Sequence, residues 1–90
     1  MWTNMFIILT YDVGARRNSK VLKICRKNLT HVQKSVFEGN VNEKQLRSLK
    51  SALAGNINFE LDQIAIYKYV GRKNIEKEVI GYHITTDNII

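Results

Sequence analysis

The feature that most constrains the fold is a continuous, largely apolar run from Met5 to Tyr11 that ends at Asp12. A run of this length with a polar end is typical of a strand buried on both faces, and such strands lie in the middle of a sheet. The run is too short for a membrane span or a signal-peptide core, and no basic residue precedes Arg16. We therefore predict a central strand in a cytoplasmic protein that makes no membrane contact.

The length of 90 residues is enough for one hydrophobic core, so we predict a single domain over residues 1–90. Small domains gain stability from disulfides, metals or association with a second copy. Cys25 is the only cysteine, which excludes an internal disulfide and a cysteine-rich zinc site. Oligomerisation is therefore the expected source of added stability.

Positive charge is concentrated in one segment. Residues 13–37 contain seven lysines or arginines and no acid, whereas the whole chain has 14 basic and 8 acidic residues. The helical period in this segment predicts an amphipathic helix from Ala15 to Leu29. Its apolar face consists of Val21, Leu22, Ile24, Cys25 and Leu29, and the opposite stripe of Arg16, Lys20, Lys23 and Lys27. The predicted helix thus presents a basic outer side.

The middle of the chain predicts strand structure followed by a second helix. Residues 31–41 are rich in β-branched and aromatic side chains, which favours one bent strand or two short ones. Asn42 followed by Gln45 is typical of a capping box and predicts the start of a helix. Apolar residues at helical spacing then extend that amphipathic helix over residues 43–54, and Gly55 offers a stop.

The last third predicts two more strands. Residues 62–70 alternate as a strand does, and a short final strand is predicted over residues 79–84, interrupted by Gly81. The element order predicts an α+β, ferredoxin-like βαββαβ sandwich with an extra short C-terminal strand and both helices on one face of an antiparallel sheet. The opposite face of the sheet is then covered by neither helix. A second copy of the chain is the expected cover, with residues 71–90 as a hairpin or strand involved in dimerisation.

Asp12 is the sharpest candidate for chemistry, because it stands where a rigid strand meets a loop. Its carboxylate suits Mg²⁺, which keeps several waters and needs only one or two carboxylates before phosphate oxygens complete its shell. Two copies of Asp12 across a dimer axis would supply that pair. The alternative role is structural, with Asp12 capping the turn or helix that follows. Glu38 is expected to lie near Asp12, as a group beside the metal ligand, if its strand pairs with the first one.

The basic residues of the first predicted helix match a footprint for a nucleic-acid backbone, because clustered cations gain affinity by releasing counterions. Contacts of this kind hold the ligand without reading its bases. The alternative is a solvated helix face that keeps the protein soluble. The candidate contacts are Arg16, Arg17, Lys20, Lys23, Arg26 and Lys27.

Other side chains point less clearly to chemistry. His31 and His83 lack a metal-ligand spacing, and neither is assigned to catalysis. Cys25 falls on the apolar face of its helix, which predicts a buried packing role. The sequence has no glycine-rich phosphate loop and lacks the aromatic-glycine signature of an RNA-recognition motif.

Several segments, taken in order, resemble one family. They are Ile7-Ile8-Leu9-Thr10-Tyr11-Asp12-Val13, Arg16-Arg17, Leu22-Lys23-Ile24-Cys25-Arg26-Lys27, Thr30-His31-Val32-Gln33-Lys34-Ser35-Val36-Phe37-Glu38-Gly39, Gln45-Leu46 and Ile64-Ala65-Ile66-Tyr67. Together they span residues 5 to 70 and resemble CRISPR-associated protein two, the small partner in spacer acquisition. No single segment is decisive, but the ordered set is specific.

The resemblance implies a ferredoxin-like homodimer with a divalent metal, Mg²⁺ or Mn²⁺, held between the two first-strand aspartates. It implies metal-dependent cleavage of single-stranded RNA or double-stranded DNA, with Asp12 as catalytic residue and metal ligand. Tyr11, Arg16 or Arg17, and Phe37 fall in the family's other recurring site positions. The family also bridges two dimers of the acquisition integrase in antiviral defence, where its basic surface supports a DNA duplex.

Two positions depart from the commoner family pattern. Val13-Gly14-Ala15 follows Asp12 without a further acid, so each chain offers one acid for metal and catalysis depends on the dimer. His31 stands where many relatives carry arginine, which weakens the nucleic-acid contact expected there without abolishing the site.

Three functions fit the sequence. The first is a Mg²⁺-dependent endonuclease, the second a non-catalytic DNA-binding scaffold that bridges integrase dimers, and the third a toxin-like ribonuclease of the same fold. The scaffold needs the basic helix and the dimer but not Asp12. Both enzymes need Asp12, and a toxin should arrest growth when it is expressed alone.

Overall fold

A computed structural model describes residues 4–71 and 74–81, in which five antiparallel strands form one sheet with both helices on one face. The elements are β1 Met5–Asp12, α1 Ala15–Arg26, β2 Thr30–Gln33, β3 Val36–Val41, α2 Glu43–Ala54, β4 Gln63–Tyr69 and β5 Ile75–Gly81. The strand order is β2-β3-β1-β4-β5. This is the predicted ferredoxin-like βαββαβ arrangement with one additional strand at the β4 edge.

The strand β1 is central, as predicted, and pairs with β3 on one side and β4 on the other. Ile7, Leu9 and Tyr11 are buried beneath the helices, whereas Phe6 and Ile8 on the other side are only half-buried. The prediction that β1 is buried on both faces is therefore wrong for the single chain. Its alternating burial arises because neither α1 nor α2 covers the second face, which we call the open face.

The two helices begin as predicted, but α1 ends three residues early, at Arg26. The amides of Lys27 and Asn28 bond to carbonyls three residues back, which tightens the last turn and directs the chain into β2. The helix α2 has the predicted bounds and the predicted capping box. Asn42 Oδ1 accepts from the Gln45 amide at 2.7 Å, and Gln45 Oε1 accepts from the Asn42 amide at 2.9 Å.

Residues 31–41 contain two strands rather than one bent strand, separated by a turn at Lys34 and Ser35. The strand β5 begins earlier than predicted and pairs with β4 along its whole length. Gly81, its last described residue, has φ 93°, and a Cβ there would run into the backbone carbonyl oxygen of Asp62. Residues 82–84 of the predicted final strand lie outside the described residues.

The core lies between the sheet and the helices and includes Phe37, Ile64 and Ile66 from the sheet and Val21 and Leu53 from the helices. At the β5 edge an ion-pair cluster links the two layers, because Glu78 accepts from Lys50 and from Lys68, each at 2.7 Å. Neither α1 nor α2 is long and apolar enough to span a bilayer.

Candidate metal and nucleic-acid site

The Asp12 carboxylate is exposed at the end of β1, and strand alternation directs it to the open face with Ile8 and Thr10. Its backbone is held in the sheet by pairing with Gln63 of β4. Among residues 4–71 and 74–81, no side chain or amide donates a hydrogen bond to this carboxylate. The paired backbone of β1 thus presents an exposed carboxylate that has no donor among the described residues.

The alternative role of Asp12 as a helix cap is wrong. The N-cap of α1 is Gly14, no side chain of the cap residue bonds to the helix, and the first turn contains no acid. Capping would draw the Asp12 carboxylate toward the amides of α1. Its position on the open face instead keeps the Asp12 side chain away from those amides.

Asp62 is the acid that accepts hydrogen bonds from the start of α1, a role that the sequence pattern does not predict. Its fully buried carboxylate accepts four hydrogen bonds: Gly14 N at 2.9 Å, Arg17 Nη2 at 2.8 Å, Asn58 N at 2.8 Å and the close contact from Arg17 Nε. The Arg17 guanidinium, more than the backbone amides, lowers the pKa of Asp62 below its ordinary range. Only the pairing of β1 with β4 brings Asp62 to the loop between β1 and α1, and no local motif indicates this contact.

The adjacent arginines have different environments. Arg17 forms a bidentate ion pair with Asp62, and this hydrogen bonding raises the pKa of its guanidinium. Arg16 is exposed at the first turn of α1, close in sequence to Asp12. The structure therefore leaves Arg16 as the freer of the two cations for a phosphate.

The remaining predicted nucleic-acid contacts are exposed, in keeping with the predicted basic outer side of α1. These residues lie on the helix layer, whereas Asp12 lies on the open face, so of the predicted basic stripe only Arg16, in the first turn of α1, stands close in sequence to Asp12. His31 is also exposed, on the edge strand β2. The exposed contacts on α1 and its C-cap are Lys20, Lys23, Arg26 and Lys27.

Tyr11 and Phe37 lie on the helix side of the sheet, away from the Asp12 carboxylate. The Tyr11 hydroxyl donates to the Lys34 carbonyl at 3.3 Å, and burial raises the pKa of Tyr11. Phe37 is fully buried and stacks on His31 with ring centroids 4.5 Å apart. Tyr11 thus contacts the β2–β3 turn and Phe37 packs in the core against His31, and the catalytic role of both stays a prediction.

Glu38 and Cys25 both lie apart from the Asp12 carboxylate. The strand of Glu38 pairs with β1, but Glu38 faces Ile8, about 13 Å from Asp12 at the usual rise per strand residue. The expectation that pairing would bring Glu38 near Asp12 is therefore wrong. Cys25 is buried as predicted, and burial raises the pKa of its thiol to about 12, so the thiol is protonated and unreactive at neutral pH.

A metal site built wholly from this chain is not seen in the described ranges, which contain no group of three or more histidines, cysteines and acids able to hold an ion. Asp12 alone suits only an ion that keeps most of its waters or gains ligands from elsewhere. This agrees with the single acid that the sequence provides at this loop.

Comparison with known proteins gives a consistent result. The family model described as CRISPR associated protein Cas2 matches residues 5–78. A CRISPR-associated endoribonuclease Cas2 from Frankia alni is 39% identical over 77 residues, covering 86% of this chain and 88% of that protein. The protein named CRISPR-associated endoribonuclease Cas2 3 from Thermodesulfovibrio yellowstonii is 40% identical over 76 residues, covering 84% of this chain and 86% of that protein. A crystal structure titled cas2 superposes with a TM-score of 0.73 at 30% identity, covering 92% of this chain and 87% of that one.

Proposed function

The chain belongs to the family of CRISPR-associated protein Cas2, and from this premise we propose that it is a metal-dependent endoribonuclease that works as a homodimer. The relatives from Frankia alni and Thermodesulfovibrio yellowstonii are named endoribonucleases, which supports RNA as substrate. Double-stranded DNA is the alternative substrate. The observation that carries the proposal is the Asp12 carboxylate, exposed on the open face without a hydrogen-bond donor in the described part of the chain.

The dimer is proposed because the open face has an apolar patch that neither α1 nor α2 covers. Phe6 and Tyr67 are only half-buried there, and Tyr69, which packs edge-on against Phe6 at 5.7 Å, is 41% exposed. Covering such a face with a second copy removes apolar area from water, which is worth about 25 cal/mol per Å². Two Asp12 carboxylates on facing sheets would form the pair that one chain lacks.

The proposed metal is Mg²⁺ or Mn²⁺, and a single carboxylate from each chain fits an ion of this kind because it accepts water and phosphate oxygens as its other ligands. When bound, it would activate a water and neutralise charge on the scissile phosphate. Asp12 from each chain would fix the ion on the dimer axis. Arg16 would stabilise negative charge on the phosphate, because Arg17 is already engaged by Asp62.

A scaffold for DNA is the second candidate, and the position of the basic stripe favours it. Lys20, Lys23 and Lys27 are exposed on the helix layer, so a duplex bound there need not approach Asp12. In this role the dimer would join two dimers of the acquisition integrase during spacer acquisition in the cytoplasm. That role uses contacts between the basic residues of α1 and the DNA phosphates, and it requires no cleavage.

The test is cleavage of single-stranded RNA and double-stranded DNA by the wild type and by Asp12→Asn, with Mg²⁺ and with chelator, beside binding of the same ligands. We expect the substitution to lower metal-dependent cleavage by about 100-fold or more while binding is retained. Glu60→Gln is the matched control, because it neutralises another exposed acid and should cleave as the wild type does. Cleavage by Asp12→Asn at the wild-type rate would reject the nuclease, and duplex binding without cleavage by either protein would favour the scaffold.

A further inference from the structure

The first turn and the N-cap of α1 contain no acid. Gly14 at the N-cap has no side chain, the first turn contains no acid, and Arg16 and Arg17 place two cations where the helix dipole disfavours them. An anion near these amides and cations is therefore strongly favoured. The nearest acid in sequence is Asp12, only two residues before the N-cap.

The acid actually used is Asp62, and its carboxylate is fully satisfied. Oδ1 accepts from Gly14 N at 2.9 Å and from Arg17 Nη2 at 2.8 Å, while Oδ2 accepts from Asn58 N at 2.8 Å and from Arg17 Nε. The side chain has no exposed surface. We call these four residues, Gly14, Arg17, Asn58 and Asp62, the Asp62 clamp.

The Asp62 clamp acts on the loop that carries Asp12. Asp12 pairs with Gln63 across the sheet, and Gly14 is bonded to Asp62, the residue before Gln63. The backbone is therefore attached to the same short segment on both sides of Val13. A loop held at both ends has few conformations in which the Asp12 carboxylate could turn toward α1.

We propose that Asp62 is the positioning residue of the Asp12 site, because it neutralises the start of α1 and so keeps the Asp12 carboxylate on the open face. Without Asp62, the free amides of α1 and the unpaired Arg17 guanidinium would compete for Asp12. The catalytic consequence rests on the proposed nuclease function. The structural consequence, a fixed β1–α1 loop, does not.

The clamp also explains a local feature of the loop. Gly14 has φ −60°, which any residue adopts, so its backbone does not require glycine. A Cβ at this position would lie 2.5 Å from Arg17 Nη2. Glycine is needed there because the guanidinium held by Asp62 passes directly over the loop.

The experiment compares wild type, Asp62→Asn and the control Val41→Ala, all well below their unfolding temperatures. Val41 is fully buried and pairs with Met5 at the other end of β1, so its truncation destabilises the fold without touching the clamp. Steady-state RNA cleavage is measured at saturating Mg²⁺, and amide hydrogen exchange is measured residue by residue without metal.

For Asp62→Asn we expect kcat to fall about tenfold or more with KM within about twofold, as for loss of a group that orients a ligand. Exchange at the amides of Gly14 and Asn58 should become about tenfold faster, with little change in β3 and α2. Val41→Ala should show neither the loss of kcat nor the localised exchange. A merely stabilising role for Asp62 predicts that the two variants behave alike.

Each outcome decides the proposal. If the wild type cleaves and Asp62→Asn retains kcat, or if exchange at Gly14 is unchanged, the positioning role is wrong. If the wild type does not cleave, the nuclease proposal fails separately. The clamp is then supported by faster exchange confined to residues 13–17 and Asn58, and overturned by its absence.

Discussion

Two aspartates at one end of the sheet have opposite environments. Asp12 ends β1 and is exposed on the open face without a donor in the described residues, whereas Asp62 precedes β4, is fully buried and accepts four hydrogen bonds. Their strands are neighbours, since Asp12 pairs with Gln63. The buried acid therefore satisfies the Arg17 guanidinium and the Gly14 amide, whereas the exposed acid accepts no hydrogen bond from the described residues.

The largest effect that separates the two acids is on stability. Asp62→Ala should lower the free energy of unfolding on the order of 3 kcal/mol, because it leaves two partly buried amides and a partly buried guanidinium without an acceptor. Asp12→Ala, at an exposed position, should stay within about 0.5 kcal/mol of the wild type. Urea unfolding without divalent metal and at one protein concentration measures both. Equal losses of unfolding free energy would show that Asp12 also stabilises the fold.

The next effect is the pH dependence of stability. Hydrogen bonding from Arg17 lowers the pKa of Asp62, so the folded state holds this carboxylate ionised more strongly than the unfolded state does. The stabilisation is complete above the unfolded pKa of about 3.9 and is lost as pH falls through the lower folded pKa. Wild type should therefore exceed Asp62→Asn in stability at pH 7, and the difference should shrink below about pH 4. A difference that is constant with pH would show that ionisation of Asp62 contributes nothing.

A glycine beside Asp62 gives a smaller effect from backbone geometry. Gly81→Ala should cost about 1–3 kcal/mol, because φ is 93° and the new Cβ would meet the Asp62 carbonyl oxygen. Gly55→Ala is the matched control, since φ is −79° and the nearest atom would be 3.6 Å from its Cβ. Thermal unfolding of both variants checks this expectation. A similar loss in both would mean that the approach of β5 to the Asp62 carbonyl does not set the cost.

The smallest effect concerns the two arginines next to the acids. The slope of log affinity for single-stranded RNA against log salt should fall by about 0.7 in Arg16→Gln, the value for one lost phosphate contact. In Arg17→Gln the slope should be unchanged, because Asp62 already neutralises that guanidinium. RNA binding titrations over a range of salt concentrations measure the slopes. An equal fall in both would show that Arg17 contacts phosphate in the complex.

Much of the fold could be predicted because its signals are local. The capping box at Asn42 and Gln45 marks the start of α2, and the apolar run ending at Asp12 marks the central strand. The early end of α1 at Arg26 was not predicted, because Leu29 is buried and continues the apolar pattern beyond the helix. Burial of β1 on a single face was also missed, since a run of apolar residues does not indicate which side the helices occupy.

The candidate site could be predicted only in part. The exposed position of Asp12 and of the basic stripe was predicted from sequence position and charge, which are properties of single segments. The different environments of Arg16 and Arg17 were not predicted. Both residues stand in one helical turn, and only Arg17 contacts Asp62. The distance between Glu38 and Asp12 depends on register, since pairing alone did not say which residues face each other.

The amino-acid sequence alone accounts for the order of elements, the basic outer side of α1 and the single acid at the end of β1, because periodicity and charge are properties of contiguous residues. Tertiary structure decided that the two faces of the sheet differ and that the start of α1 is served by Asp62 rather than Asp12. The physical reason is that a buried carboxylate is satisfied by whichever donors the strand pairing brings to it. Those donors are set by the register of β1 and β4, which no local pattern specifies.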